Sequence, residues 1–122
     1  MKRLASAFER RDKRGIFIEV AKGRLWKAVN FWTLKKGSSR GGHYHKKTLE
    51  LFFAIEGSCR VEILNIKTRK RTDFIALEGG IFLVEPYELH RISGIRNSKF
   101  LTLLSMPYDR RRPDIYEYRE RK

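Results

Sequence analysis

Three histidines and one glutamate in this 122-residue sequence have the types and spacing of metal ligands. His43 and His45 are separated by one residue, so on an extended segment both imidazoles project from the same face. Glu50 follows at the start of the next predicted strand, where a bend would bring its carboxylate beside both rings. His90 comes from a separate predicted strand. These four side chains form a candidate metal site.

The donor set decides which ions the site suits. Three neutral imidazoles and a carboxylate suit Zn, Fe, Mn, Ni, Cu or Co and leave positions open for water or substrate. We expect one divalent ion, with zinc as the first choice. In the competing interpretation His43 and His45 are exposed residues of a Gly-rich loop, and Glu50 pairs with Lys46 or Lys47. Since every histidine of the chain falls where a barrel would bring it to the others, we favour the metal site.

The segments that must position these residues predict an all-β barrel or sandwich. They are short, apolar or alternating in hydrophobicity, and they are separated by turn residues. Period-two alternation predicts that Cys59, Val61 and Ile63 face inward. Leu4 and Phe8 lie four residues apart, which predicts a short helical arm at the N-terminus. The predicted strands cover residues 16–20, 24–34, 49–55, 59–66, 72–77, 81–84, 89–92 and 99–106.

The length and the lack of repeats or linkers predict one domain over residues 1–122. We divide it into a basic arm, 1–15, a core of about 16–106 and a tail, 107–122. Cys59 is the single cysteine, so no intrachain disulfide can form, and a reducing cytoplasm fits best. No stretch approaches the roughly 18 apolar residues of a membrane span, and we expect neither a signal peptide nor a membrane helix.

The formal net charge of +14 would by itself suggest a polyanionic partner. The basic residues gather at the termini and at the predicted turn 67–71, and no helix-turn-helix, zinc-finger or RNA-binding signature accompanies them. We therefore expect a solvated basic surface and no specific nucleic-acid binding.

The spacing of the candidate ligands resembles the cupin family. Its first motif is matched by Gly37, His43, His45, Glu50 and Gly57, and its second begins with Gly80 and Pro86. The second motif then departs from the family pattern: Glu88 stands where a glycine is expected, His90 comes one residue early and Gly94 replaces an asparagine. The resemblance extends from about Gly23 to Met106. It implies a single-domain cupin, that is, a double-stranded β-helix or jelly-roll barrel.

A narrower resemblance lies in the segments 26–30 (WKAVN), 40–46 (RGGHYHK) and 113–116 (PDIY). They are similar to the cupin domain of capsular or surface-polysaccharide sugar-nucleotide epimerase/reductases and, more distantly, to nucleotide-sugar 3,4-ketoisomerases. The resemblance implies a nucleotide-activated 4-keto sugar as substrate of an epimerase or isomerase.

The implied chemistry starts at the keto group. A metal that polarises the keto oxygen makes the C3 proton acidic, and a base then removes that proton. Glu88, Tyr44 and a hydroxide on the metal are the candidates for the base. In the ketoisomerases that the chain resembles, the two histidines shuttle protons without metal, which would make His43 and His45 the catalysts.

Substrate contacts are expected beside the histidines. Arg40 and Lys46 flank them on one loop and could bind a diphosphate. Tyr87, beside Pro86, could stack on a base or sugar. In the competing interpretation Arg40 and Lys46 are ordinary surface charges, and Tyr87 is a packing residue.

Two further functions stay open: a metal-dependent dioxygenase, which iron or copper would serve, and a non-enzymatic module that binds a sugar or a metal. We also expect a homodimer, because a barrel of this size with an apolar first strand commonly covers its edge with a second copy.

Overall fold

The computed structural model describes residues 1–6 and 8–118, and these residues form strands and turns without a helix. Residues 119–122 of the predicted tail lie outside the described residues. The prediction of an all-β protein is therefore confirmed. The strands are β1 (Lys2–Leu4), β2 (Phe8–Asp12), β3 (Gly15–Glu19), β4 (Ala28–Leu34), β5 (Ser39–Tyr44), β6 (Glu50–Glu56), β7 (Ser58–Asn65), β8 (Arg71–Leu77), β9 (Ile81–Val84), β10 (Glu88–Gly94), β11 (Ser98–Leu104) and β12 (Tyr116–Glu117).

Ten of the strands build two antiparallel five-stranded sheets. One sheet has the order β1-β9-β6-β11-β4, and the other has the order β12-β5-β10-β7-β8. β2 and β3 form a separate hairpin. Strands that are neighbours in sequence lie in different sheets in several places, which is the connectivity of a jelly roll. The prediction of a cupin-type jelly-roll barrel is confirmed.

The core lies between the two sheets and receives side chains from both. Phe52 stacks on Phe82 with ring centroids 4.7 Å apart, and Trp32 stacks on Phe100 at 4.6 Å. Burying each such side chain contributes about 1.5–3 kcal/mol. The inward positions predicted on β7 are correct, because Cys59, Val61 and Ile63 are 0%, 0% and 3% exposed. The buried cluster consists of Leu34, Phe52, Ala54, Cys59, Val61, Ile63, Ala76, Phe82, Val84, Ile92 and Phe100.

The predicted N-terminal helix is wrong. Leu4 ends β1, which pairs with β9 through Lys2↔Leu83 and Leu4↔Ile81, and Phe8 begins β2. A single apolar pair four residues apart stabilises a helix only weakly, and helices of this length are marginal in water. The open edge of β9 instead offers backbone hydrogen bonds to the extended chain.

The first predicted strand forms, but it lies outside the two large sheets. Within the described part of the chain, Gly15–Glu19 pairs with β2 in a two-stranded sheet, through contacts such as Arg10↔Phe17. The second predicted strand is shorter than expected and starts at Ala28. β5 and β12, which lie around the histidines, were not predicted as strands. Nowhere in the described part of the chain is there a helix with the length and hydrophobicity that a membrane crossing requires.

Candidate functional site

β5 and the residue after it carry two of the histidines. His43 and His45 lie on the same side of the extended chain, and Tyr44 between them lies on the other side. The Tyr44 ring contacts Tyr87 at 6.0 Å and Tyr116 at 5.6 Å between centroids. This outer aromatic cluster anchors the segment while the two imidazoles face the barrel interior.

A glycine lets β5 approach β10 closely. Gly41 has a φ of +101°, and a Cβ at this position would lie 2.4 Å from the carbonyl oxygen of His90. The register pairs His43 with His90 and shifts between His90 and Arg91, as at a β-bulge. The bulge brings the third histidine opposite the first.

The three imidazoles converge inside the barrel. Ring centroids are 4.8 Å apart for His43 and His90, and 5.4 Å apart for the two pairs that include His45. Their candidate ligand nitrogens all lie within 4.8 Å of one another. One Glu50 oxygen, from the start of β6, lies 3.1 Å from His45 Nε2 and 3.5 Å from His90 Nε2.

Backbone carbonyls orient two of the rings. His45 Nδ1 lies 2.7 Å from the carbonyl oxygen of Asp114, and His90 Nδ1 lies 3.1 Å from that of Glu88. A carbonyl only accepts, so each Nδ1 must carry the proton. Nε2 of each ring is then the atom that faces Glu50.

The charges of the cluster are coupled. Burial raises the pKa of Glu50, but hydrogen bonds from His45 and His90 outweigh it and hold the pKa at about 2. Burial lowers the pKa of His45, but its hydrogen bonds to Glu50 and to the Asp114 carbonyl outweigh it, and the net shift is upward. Burial and the charges of His90 and His45 lower the pKa of His43 to about 4. Near neutral pH the site therefore holds a carboxylate and an uncharged His43.

The three histidines could hold a metal ion. Metal-binding histidines commonly donate their second ring N–H to a carbonyl or carboxylate, as His45 and His90 do here. The Glu50 carboxylate lies beside their Nε2 atoms and offers a fourth, anionic donor. This donor set fits a borderline divalent cation such as zinc.

Two pockets meet at the cluster, and His43 and Glu50 line both of them. The barrel pocket, of about 360 Å³, lies between the sheets. The tail pocket, of about 440 Å³, lies beneath residues 106–116. The barrel pocket is also lined by Asn30, Trp32, Arg40, Gly41, Phe52, His90, Ile92 and Thr102.

Of the predicted substrate-binding residues, Arg40 lines the barrel pocket. Its guanidinium lies 5.6 Å from the Trp32 ring centroid at the barrel pocket. Lys46 instead places its ammonium 4.1 Å from the ring centroid of Tyr116. Tyr87 contacts Tyr44 and the ammonium of Lys67 at 3.8 Å. The structure thus places Lys46 and Tyr87 in the outer aromatic cluster.

The candidate base Glu88 lies on the inner face of β10 but lines neither pocket. One carboxylate oxygen accepts the backbone N–H of Glu85 at 2.7 Å, and the other contacts the Met1 amino group. The structure therefore does not bring this carboxylate to the histidines.

Sequence reasoning missed several residues around the cluster. Asn30 and Thr102 line the barrel pocket, whereas Lys47, Arg112 and Asp114 line the tail pocket. Asn30 and Asp114 stood within segments that carried the narrower resemblance, which was a usable signal. Lys47 and Arg112 looked like ordinary surface charge, and only the fold of the tail brings them together.

The jelly-roll barrel with histidines gathered between its sheets defines the chain as a cupin. The chain belongs to the family described as polysaccharide biosynthesis C-terminal domain, whose profile matches residues 10–116. The resemblance to the cupins of surface-polysaccharide biosynthesis is therefore confirmed.

One curated relative is the UDP-2-acetamido-2,6-beta-L-arabino-hexul-4-ose reductase of Pseudomonas aeruginosa. It is 31% identical over 109 residues, which cover 86% of this chain and 29% of the relative. The chain thus spans less than a third of that protein's length.

Solved structures with the same fold include two proteins of related description. A 3,4-ketoisomerase from Helicobacter canadensis has a TM-score of 0.80 and 20% identity, covering 96% of this chain and 90% of that one. The capsular polysaccharide assembling protein of Staphylococcus aureus has a TM-score of 0.70 and 19% identity, covering 90% of this chain and 33% of that one. At these identities the likeness is one of fold.

Proposed function

We propose that this chain acts on a nucleotide-activated 4-keto sugar as an epimerase or isomerase of surface-polysaccharide biosynthesis. We further propose that one divalent metal ion, zinc first, binds to His43, His45, Glu50 and His90. The observation that carries the proposal is the convergence of three imidazoles and a carboxylate where two pockets meet. Family membership supports the substrate class.

A divalent cation at this site supplies Lewis-acid polarisation of the substrate's keto oxygen. The chain's own residues orient the substrate around that point. Arg40, at the barrel pocket, carries a guanidinium suited to a phosphate. Asn30 and Thr102 offer neutral hydrogen-bonding groups to sugar hydroxyls on the same wall.

A second candidate mechanism uses His43 as a proton-transfer group without metal. Its ring has no hydrogen bond within residues 1–6 and 8–118, whereas His45 and His90 are both held by carbonyls. It borders both pockets, and its pKa of about 4 leaves it uncharged and able to accept a proton. A positioned base contributes typically 10²–10⁴-fold to a rate.

The deciding experiment measures metal content and proton exchange on the same protein. Plasma mass spectrometry quantifies bound metal, and NMR in D₂O follows loss of the C3 proton of a nucleoside-diphosphate 4-keto hexose. We expect about one zinc per chain, lost in a His43→Ala, His45→Ala double variant and kept in Arg91→Ala, whose side chain is exposed on β10. Exchange should disappear with the metal.

Other outcomes identify the alternatives. Exchange that continues in a metal-free protein and stops in His43→Gln would replace the metal mechanism with the histidine mechanism. Stoichiometric iron without exchange would favour a dioxygenase. Metal or sugar binding without turnover of any 4-keto sugar would favour a non-enzymatic module and contradict the proposed function.

We also propose a homodimer formed through β4, which is the edge strand of its sheet. Val29 and Phe31 lie on its outer face and are 62% and 60% exposed. An exposed apolar edge is commonly covered by a second copy. Sedimentation velocity should show a dimer that Phe31→Lys converts to a monomer; a monomeric wild type would refute this. The single domain over 1–122 and the cytoplasmic location stay predictions.

A further inference from the structure

Asp114, in the C-terminal tail, contacts the loop after β5 through its side-chain carboxylate and through its main-chain carbonyl. Its carboxylate accepts the backbone N–H of Lys46 at 3.0 Å and those of Lys47 and Thr48 at 2.9 Å each. The Thr48 hydroxyl donates a fourth hydrogen bond to it at 2.9 Å. The main-chain carbonyl of the same residue accepts the Nδ1 proton of His45 at 2.7 Å.

These contacts couple the tail to one ring of the cluster. The four bonds to the carboxylate fix Asp114 against the loop that directly follows His45. The carbonyl belongs to the same residue, so its position relative to His45 is fixed as well. His90 obtains the equivalent bond from Glu88, two residues away on its own strand. Orientation of His45 therefore depends on a segment 69 residues distant, whereas orientation of His90 does not.

We propose that Asp114 is a positioning residue that sets the tautomer and orientation of His45. With Nδ1 committed to the Asp114 carbonyl, Nε2 is the ring atom that faces Glu50, at 3.1 Å, and it would bind a metal after giving up its own proton. The inference rests on the proposed function in one respect: it takes Nε2 of His45 to be the atom that binds the metal. Removal of such a supporting contact typically costs 10–100-fold in metal affinity.

The test uses the full chain, metal-free, with ¹⁵N-labelled histidine at about pH 9, well above the ordinary pKa of a histidine side chain. Long-range ¹H–¹⁵N correlation spectra report the tautomer of each ring, and three rings can be assigned by substitution. In the wild type we expect Nδ1 of His45 to carry a proton, because the Asp114 carbonyl only accepts. In Asp114→Ala we expect a shift toward the Nε2–H form and a 10–100-fold weaker zinc affinity, with His90 unchanged. Asp114→Asn, which keeps one acceptor oxygen, should recover part of both.

Asp73→Ala is the matched control, because this exposed carboxylate on β8 lies 3.5 Å from the Arg60 guanidinium and lines neither pocket. It should leave the His45 tautomer as in the wild type. Thr48→Val removes one of the four bonds and gives a milder second variant if Asp114→Ala does not fold. An unchanged tautomer and zinc affinity within twofold in the variants that fold would overturn the proposal. Since the tautomer is read without substrate or metal, absence of sugar exchange in the wild type would contradict only the proposed function.

Discussion

The barrel and the β2–β3 hairpin are both β-structure rich in aromatic and aliphatic residues, yet they use them differently. In the barrel, Phe52, Phe82 and Phe100 are 3%, 1% and 0% exposed. In the hairpin, Phe8 and Phe17 are 46% and 62% exposed although their rings contact each other at 6.0 Å. Among the described residues the rings of this two-stranded sheet stay largely exposed, and an isolated hairpin is marginal in water. The barrel therefore carries both the stability and the site.

The largest expected effect is the loss of a core ring in the barrel. Phe52 stacks on Phe82 and contacts the His90 ring at 5.8 Å between centroids. Phe52→Ala should lower the free energy of unfolding by about 3–5 kcal/mol, because it leaves a cavity as well as losing buried area. Urea denaturation measures this. A loss below about 1 kcal/mol would contradict the account of the core.

A smaller loss is expected from closing the space between β5 and β10. In Gly41→Ala the new Cβ would meet the His90 carbonyl, and the residue would also be strained at positive φ. We expect a loss of about 1–3 kcal/mol together with weaker metal binding. Gly42→Ala is the control: its φ is +82°, but nothing lies within 4 Å of the added Cβ. Equal effects of the two changes on metal binding would argue against a role for the close approach.

The pH dependence of stability should also distinguish the two regions in metal-free protein. Folding lowers the pKa of His43 from 6.5 to about 4, chiefly through burial. Between these values the unfolded chain binds a proton that the folded chain does not, so the free energy of unfolding rises with pH from about 4 to 6.5. His43→Gln should reduce this slope in denaturation series at several pH values.

Asp12→Asn, in the hairpin, is the control for this series. The side chain of Arg14 lowers the pKa of Asp12, but the pair is solvated and lies outside the barrel. We expect no change of slope between pH 4 and 6.5. A slope that is the same in His43→Gln as in the wild type would refute the buried, uncharged state of His43.

The smallest effect is expected in the hairpin itself. Phe17→Ala removes the same ring as Phe52→Ala but from an exposed position, so the free energy of unfolding should change by no more than about 0.5 kcal/mol. Amide hydrogen exchange should be much faster in β2 and β3 than in β7, which pairs on both sides. Amide protection in β2 and β3 equal to that in β7 would contradict this expectation and would show that the hairpin packs against another part of the protein or a second copy.

Much of the barrel was predictable because period-two alternation reports directly which side of a strand is buried. The inward set on β7 follows from that alternation, and a continuous apolar run predicts β9. The N-terminal helix was wrong because a single Leu4–Phe8 spacing carries little free energy, and the open edge of β9 competes for the same residues. The strand predicted over residues 16–20 forms as Gly15–Glu19, but the local pattern did not show that it pairs with β2 outside the two large sheets.

The sequence by itself determined which candidate donor groups the barrel brings together: three histidines and a glutamate with cupin spacing. It could not decide which other groups reach them. Glu88 and Tyr44 were credible bases from their positions in the chain, yet the Glu88 carboxylate accepts the backbone N–H of Glu85 and the Tyr44 ring contacts Tyr87. Asp114 lies far away in sequence and reaches His45 only because the tail folds back along β5 as β12. Contacts between distant segments depend on the packing of the whole barrel, so the tertiary structure alone decided how the histidines are oriented and what surrounds them.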